Sequence, residues 1–286
     1  MNILLTGGLG GFGILMTREL VKRGHKVIAT TRQLNSQSSA QAELENLGVS
    51  VIEMDVTCSH SVEEAIARCY TVVDRLDVVV NNAGQGVFGI QEAFSANDYF
   101  RLFDINVFGV QRVLKHVLPH LRSQQGGLVV NVSSLLGRVV LPFHGPYNAS
   151  KWALEAMTET YRYELSSFGI DVCLLEPGGY PTSFGANSMS AEQDLSDQYQ
   201  DLLPQPQFFA DSFATALANN PQQDPLDVAI GLCDLIDTPH GQRPLRTVID
   251  KLGMGDAVNP LNEANEMMTD QIYKAFHIDH MRRLNR

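Results

Sequence analysis

Ile3-Leu4-Leu5-Thr6-Gly7-Gly8-Leu9-Gly10-Gly11-Phe12-Gly13 is the stretch on which the fold turns. Its apolar start, Ile3 to Thr6, is expected to be a short strand that stops at glycine. From Phe12 to Lys22, the spacing of Phe12, Leu15, Met16 and Leu20 is helical. Glycines between a strand and a helix let the backbone turn tightly and approach a pyrophosphate. The helix then offers its N-terminal amides and dipole to the anion. Thr6, Gly7, Gly8, Gly10, Gly11, Phe12 and Gly13 are therefore expected to hold a dinucleotide. Two spacings fit at once. Gly7, Gly11 and Gly13 read as TGxxxGxG, and Gly7, Gly10 and Gly13 as TGxxGxxG.

Outward from this loop, strand-like and helix-like segments alternate. Strands are expected at Lys26–Thr30, Val49–Met54, Asp77–Asn81, Gly127–Val132, Ile170–Glu176 and Leu245–Ile249. Helices are expected at Ser61–Val73, Asp98–Leu121, Tyr147–Phe168 and Asp227–Ile236, with Glu63 and Glu64 suited to a first turn. Apolar strands alternating with helices imply a parallel sheet covered on both faces. From Gly178 to about Pro225, Ser, Gln, Asn, Asp and Pro become frequent around Phe208, Phe209 and Phe213. This stretch reads as an insertion or lid. The tail after Pro260 is weakly specified.

The length of 286 residues suits one large α/β domain, and 44% hydrophobic residues supply a core. A formal net charge of -11 disfavours nucleic acid and anionic membranes as partners. Cys58, Cys69, Cys173 and Cys233 form no CxxC pair and stand beside no histidine at ligand spacing, so buried free thiols and no metal are expected. The N-terminus lacks a basic start and a long apolar run, and no segment reaches ~20 apolar residues. A cytoplasmic location is the expectation.

Tyr147 and Lys151 stand four apart and would share a helix face. A phenol beside an ammonium can have its proton affinity lowered and serve in carbonyl chemistry, although the pair by itself reads first as a solvated helix face. Further motifs agree in order. Asn81-Asn82-Ala83-Gly84 follows the fourth strand, and Asn106 lies in Asp-Ile-Asn-Val-Phe-Gly. Ser134 precedes Tyr147 by thirteen positions, and Pro177-Gly178 is followed by Thr182. With these residues the chain resembles the short-chain dehydrogenase/reductase family over residues 1–182 and again around Asp227 to Ile249. The NNAG motif and Asn106 resemble the single-domain reductases more than the sugar-nucleotide epimerases and dehydratases.

The resemblance implies an α/β, Rossmann-like, doubly wound parallel sheet of about seven strands, helices on both faces, and a C-terminal lid insertion. One dinucleotide-binding and catalytic domain would span 1–286, with the lid at about 179–224. It implies that Tyr147 exchanges a proton with the substrate oxygen and that Ser134 holds that oxygen. Lys151 would lower the tyrosine's pKa and bind the nicotinamide ribose. Asn106 would position a relay water. Asn82, Ala83, Gly84, Pro177, Gly178 and Thr182 would line the cofactor. Ser133 is the rival of Ser134, and Ser150 is expected to pack or cap.

The cofactor is chosen after the second strand, which ends Ala29-Thr30-Thr31-Arg32 with no acid before Asn35. Arg32 suits the 2′-phosphate of NADP(H), with Thr31 and Ser36 adding hydroxyls. Asp55-Val56 resembles the adenine-binding pair, although Asp55 could equally cap a turn. Phe143, His144, Tyr180 and Phe184 are candidates for an apolar substrate pocket, and the same aromatics could simply pack. Trp152 reads as core or interface. The expected activity is reversible NADPH-dependent reduction of a hydrophobic ketone or aldehyde. The rivals are a non-catalytic NADP-binding redox sensor and a nucleotide-sugar epimerase or dehydratase. Resemblance also implies a homodimer or homotetramer through Asp98–Leu121 and Tyr147–Phe168.

Overall fold

The computed structural model describes residues 1–35, 37–191, 195, 197–202 and 204–282. Seven parallel strands form one sheet: β1 Asn2–Leu5, β2 Lys26–Thr31, β3 Ser50–Glu53, β4 Val78–Asn81, β5 Gly127–Val132, β6 Ile170–Pro177 and β7 Arg246–Ile249. Their spatial order is β3-β2-β1-β4-β5-β6-β7. The order reverses beside β1, so a crevice opens at the carboxyl ends of β1 and β4.

Every central strand is apolar on both sides because both sides are covered. Ile3, Leu5, Val27, Ala29, Val78, Val80 and Val130 pack under α1 (Gly11–Lys22), α2 (Ser39–Asn46) and α8 (Leu226–Asp237). Leu4, Ile28, Val79, Val129 and Val172 face α3 (Ser59–Val72), α5 (Gly109–Ser123) and α6 (Gly145–Glu164). Strict alternation along each strand thus builds two cores from one sheet.

The long helical stretch expected at Asp98–Leu121 is not one α-helix. It runs as α4 (Ala96–Phe103), a π-helical segment Asp104–Phe108, and then α5. Ser95 and Asp98 start α4 with reciprocal capping bonds. The wide turn is held from outside. Arg112 donates to Asp104 Oδ1 at 2.6 Å and to the carbonyls of Val56 and Asp104 at 3.0 and 3.2 Å. Such π segments recur at functional sites, and this one carries Asn106.

The lid region contains α7 (Pro204–Asn219), which buries none of its side chains. The tail is more ordered than its sequence suggests. Met254–Ala275 is a 22-residue helix, α9, with Pro260 inside it. Proline there removes one backbone donor, yet α9 persists because tertiary contacts hold it. Asn262 is bonded to Arg138 and Glu176, and Tyr273 lies edge-on to Tyr163 at 4.9 Å. No helix among the described residues is long and apolar enough to cross a membrane. Cys69, Cys173 and Cys233 are buried, but Cys58 is exposed at the start of α3, against expectation.

Candidate active site

The glycine loop fills the crevice beside β1. A Cβ on Gly13 would lie 2.1 Å from the Gly7 carbonyl oxygen, so the first turn of α1 can press onto the loop only with glycine there. Gly11 has φ of +46°, and a Cβ there would meet nothing within 4 Å. Gly10 is extended at φ -121° and also faces open space. Conformation therefore selects Gly11 over Gly10, and the loop reads as TGxxxGxG. The open side of Gly10 and Gly11, at the N-terminus of a 12-residue helix, fits a pyrophosphate.

The NNAG segment is tied to this loop. The Thr6 hydroxyl accepts from the amides of Asn82 and Ala83, both at 3.0 Å. Asn82 Nδ2 donates to the carbonyls of Thr6 and Gly7 at 3.0 and 3.1 Å. Asn81 Nδ2 donates to Asn131 at 2.8 Å, and Asn131 donates to Thr158 on α6. Gly84 lies beside the next group. A Cβ on it would come within 3.3 Å of Asn106 Oδ1 and 3.9 Å of Lys151 Nζ.

Asn106 is buried, and its side chain is committed. Oδ1 accepts from the Gln85 amide at 2.9 Å. Nδ2 donates to the Gln85 carbonyl at 2.9 Å and to Ser150 Oγ at 3.0 Å. Ser150 Oγ in turn donates to the Tyr147 carbonyl at 2.9 Å. The Asn106 amide thus fixes the first turn of α6 to the NNAG loop. Pro146 suits that first turn, where its missing N–H is not needed.

Tyr147 and Lys151 share the buried face of α6. Ser134 lies by the Tyr147 hydroxyl and favours its ionised form. Ser134 Oγ also accepts from the Leu136 amide at 3.1 Å. Ser133 points away and lies against Glu155. The Lys151 ammonium donates to the Val132 carbonyl at 2.8 Å and sits 5.6 Å from the Tyr147 ring centre. The expected lowering of the tyrosine pKa by this lysine is not what the protein's own groups produce. Burial pushes Tyr147 up to about 12, opposed by the neighbouring Ser134. Burial also pulls Lys151 down to about 8, opposed by the Glu155 charge. Desolvation is the dominant cause for both groups.

The walls come from several segments. Phe184 stands edge-on to Tyr147 at 5.8 Å and covers Gly86. Phe88, Phe143, His144 and Phe209 form one aromatic cluster, with Phe88 5.2 Å from His144 and 6.3 Å from Phe209. Phe143 adopts φ of +66° to present its ring. Burial holds the His144 imidazole below its ordinary value, and its Nδ1 contacts the Pro142 carbonyl at 2.9 Å. Val87, Phe94, Leu102, Leu136 and Met189 pack around Tyr147.

Several expected residues are placed otherwise. Tyr180 is no pocket wall. It is buried against Phe12 at 5.6 Å with its hydroxyl on the Ile249 carbonyl, in the core beneath α1. Asp55 caps its own turn, accepting from the Thr57 amide at 2.9 Å and hydroxyl at 2.7 Å, while Val56 packs on Gly109. Thr31 Oγ1 donates to the Gln33 carbonyl at 3.3 Å, and Ser36 lies outside the described residues. Arg32 is exposed just beyond β2. Gly178 allows Asp250 to approach, and Thr182 accepts from the Phe184 amide at 3.3 Å. Phe208 is exposed, Phe213 caps Gly179, and Trp152 is exposed with Arg138 over its ring. Among the described residues no cluster of His, Cys, Asp or Glu is placed to hold a metal ion.

The family model for short chain dehydrogenase matches residues 1–193. The chain belongs to the short-chain dehydrogenase family. As a short-chain dehydrogenase it is an oxidoreductase. It is 36% identical over 216 residues to 3-ketodihydrosphingosine reductase of Bacteroides thetaiotaomicron, covering 75% of this chain and 74% of that one. It is 37% identical over 190 residues to estradiol 17-beta-dehydrogenase 1 of Rattus norvegicus, covering 64% and 55%. A short-chain dehydrogenase of Streptomyces avermitilis shares the fold with a TM-score of 0.73 and 26% identity, covering 96% of each chain. A short chain dehydrogenase/reductase of Burkholderia phymatum in complex with NAD and an actinorhodin polyketide ketoreductase with NADPH share this fold.

Sequence reasoning missed Phe88, Met189 and the charged residues behind Lys151. Phe88 follows the NNAG motif by four positions, so its place near the mouth was readable. Glu155 is four residues beyond Lys151 on the same helix face, a spacing that also could have flagged it.

Proposed function

We propose that this short-chain dehydrogenase reduces hydrophobic ketones or aldehydes with NADPH, reversibly, with Tyr147 as general acid. The observation that carries the reading is the buried Tyr147 beside Ser134 and Lys151, with Phe184 edge-on to its ring at 5.8 Å. NADPH fits the glycine cradle, and when bound it supplies the hydride. Ser134 and Tyr147 hold the carbonyl oxygen between their hydroxyls and polarise it. Tyr147 gives its proton to that oxygen as negative charge develops. Lys151 lies behind it as the cation that stabilises the phenolate left behind. Asn106 holds α6 against the NNAG loop, so these groups keep their spacing. Arg32 supports NADPH over NADH: it is exposed beyond β2, where no acid precedes Asn35.

The aromatic walls favour an apolar substrate. The names of two relatives agree, one a reductase of a 3-keto sphingoid base and one an estradiol dehydrogenase. The reading also sets a second copy of the chain against the outer faces of α4, α5 and α6, where Phe100, Phe108 and Trp152 are exposed. Light scattering across a dilution series tests that part. The catalytic part is tested by NADPH consumption on a panel of long-chain and steroid ketones. Tyr147→Phe should reduce kcat by ~10²–10⁴-fold with NADPH binding kept. Full turnover in that variant would sink the mechanism. NADPH binding without turnover of any carbonyl would sink the activity.

A further inference from the structure

Helix α9 packs with its polar side inward and its apolar side outward. Asn262 is buried, accepts from Arg138 Nε at 2.7 Å and donates to Glu176 at 2.7 Å. Asn265 and Thr269 donate to Glu159 of α6 at 3.5 and 3.4 Å. These residues seal a buried ionic cluster. In it, Arg246 of β7 donates to Glu155 at 2.9 Å and to Glu159 at 2.7 Å, and lies 3.4 Å from Glu176 of β6. With the polar residues used inward, the apolar ones are left outside. Leu261, Met267, Met268, Ile272 and Phe276 are between 41% and 71% exposed. Ala257, Pro260, Ala264 and Ala275 are exposed between them. Leu261, Met268, Ile272 and Phe276 follow one another at steps of 7, 4 and 4 residues, so they form one stripe along the helix. A surface helix ordinarily turns such a stripe to the core. Left outside, it marks an interaction surface.

The charges along α9 select the occupant. Its exposed acids, Asp256 and Glu263, lie in the first half. Lys274 lies in the last turn, and His277, His280 and Arg282 follow it. An antiparallel α9 from a second copy would set Leu261 against the partner's Phe276 and Glu263 against the partner's Lys274, about a dyad beside Met268. A parallel one would set acid against acid. Lys274 is exposed and already pairs with Asp270 at 2.5 Å, so the cross-pairs fix register more than affinity. An anionic membrane fits less well, because the first half of α9 is acidic and the chain carries a net charge of -11. The area also fits. The five large side chains and the small ones between them would bury roughly 500–600 Å² per copy, about the lower bound for a specific interface once both copies are counted.

We infer that α9 is an isologous docking surface for a second copy of this chain, paired antiparallel about Met268. This contact is additional to the one proposed against α4, α5 and α6, and it does not rest on the catalytic reading.

The full-length protein tests it by sedimentation velocity over a dilution series. Met268→Glu with Ile272→Glu should halve the mass of the largest species, whether the wild type is a dimer through α9 alone or a tetramer through both surfaces. A wild type that is monomeric throughout, or a mass that the α9 variant leaves unchanged, overturns the inference. Register is read by mild oxidation in a Cys58→Ser background, which removes the exposed native thiol. Met268→Cys should give a covalent dimer. Leu261→Cys alone should not, since the two copies of that residue would lie ~20 Å apart along the helices. Leu261→Cys combined with Phe276→Cys should again cross-link. Cross-linking of Leu261→Cys alone, or of none of these variants, overturns the antiparallel pairing. Flotation with uncharged phosphatidylcholine vesicles tests the other occupant. A monomeric wild type that floats while the Met268→Glu, Ile272→Glu variant stays behind would assign the stripe to lipid and overturn the inference. None of these measurements needs turnover, so they stand whether or not the protein reduces a carbonyl.

Discussion

At the residue scale, the state of Tyr147 sets the direction in which pH acts. Burial raises its pKa to about 12, so at neutral pH the phenol is protonated and ready to donate. Carbonyl reduction should therefore be flat with pH from about 5 to 7, as the acid form stays full and Lys151 stays charged. Alcohol oxidation needs the phenolate, so its kcat/KM should climb about tenfold per pH unit over the same range. Steady-state profiles in both directions check this, and an oxidation rate that is flat there would contradict it. Arg32 is a second case. An exposed guanidinium can pair with a 2′-phosphate through charge-assisted bonds worth about 1.5–3 kcal/mol. Arg32→Gln should raise KM for NADPH roughly 10–100-fold and leave NADH nearly unchanged. Equal effects on both cofactors would remove Arg32 from the phosphate site.

Elements carry the specificity, and here sequence and structure part. β1, α1, β4, β5, α6 and β6 were legible because their apolar periods are unbroken, as in Val78-Val79-Val80, and because each ends in a recognisable motif. The π turn at Asp104–Phe108 was not legible, since it depends on Arg112 reaching back to Asp104 and across to Val56. α9 was hidden by Pro260 and by a polar composition whose partners, Glu159, Glu176 and Tyr163, are distant in sequence. The site was legible as a set of residues but not as an electrostatic environment. Burial, which reverses the expected tyrosine shift, is a property of the packed molecule. α7 places Phe209 on Phe88, Phe143 and His144, so this element should govern the fit of apolar substrates. Phe209→Ala should cost about 1–2 kcal/mol of binding for a bulky ketone, read as a roughly 5–30-fold rise in KM with kcat kept. An unchanged KM would place the substrate elsewhere in the cleft.

For the whole molecule, the buried ionic cluster joins α6, β6, β7 and α9, so its titration should be felt as global stability. Glu176 is fully enclosed, and its pKa is pushed from 4.5 up to about 8 by burial first and by the Glu155 charge second. An acid whose folded value is raised binds more protons in the native state than in the unfolded chain between those two values. Stability from this group is then complete below about pH 4.5 and is lost as pH rises toward 8, with a limiting slope of about 1.4 kcal/mol per unit. Other groups slope the opposite way, His144 among them, since burial lowers its pKa. The wild-type curve alone therefore mixes signs. Glu176→Gln isolates the term, because the amide mimics the protonated acid and its oxygen can still accept from Asn262. Near pH 5 the two proteins should unfold at similar temperatures. By pH 8 the variant should be the more stable by several degrees, for a shift of this size in a chain of 286 residues. Calorimetry at both pH values checks this. A variant less stable than wild type by the same margin throughout would show that Glu176 is ionised across the range and acts as an ordinary ion-pair partner of Arg246.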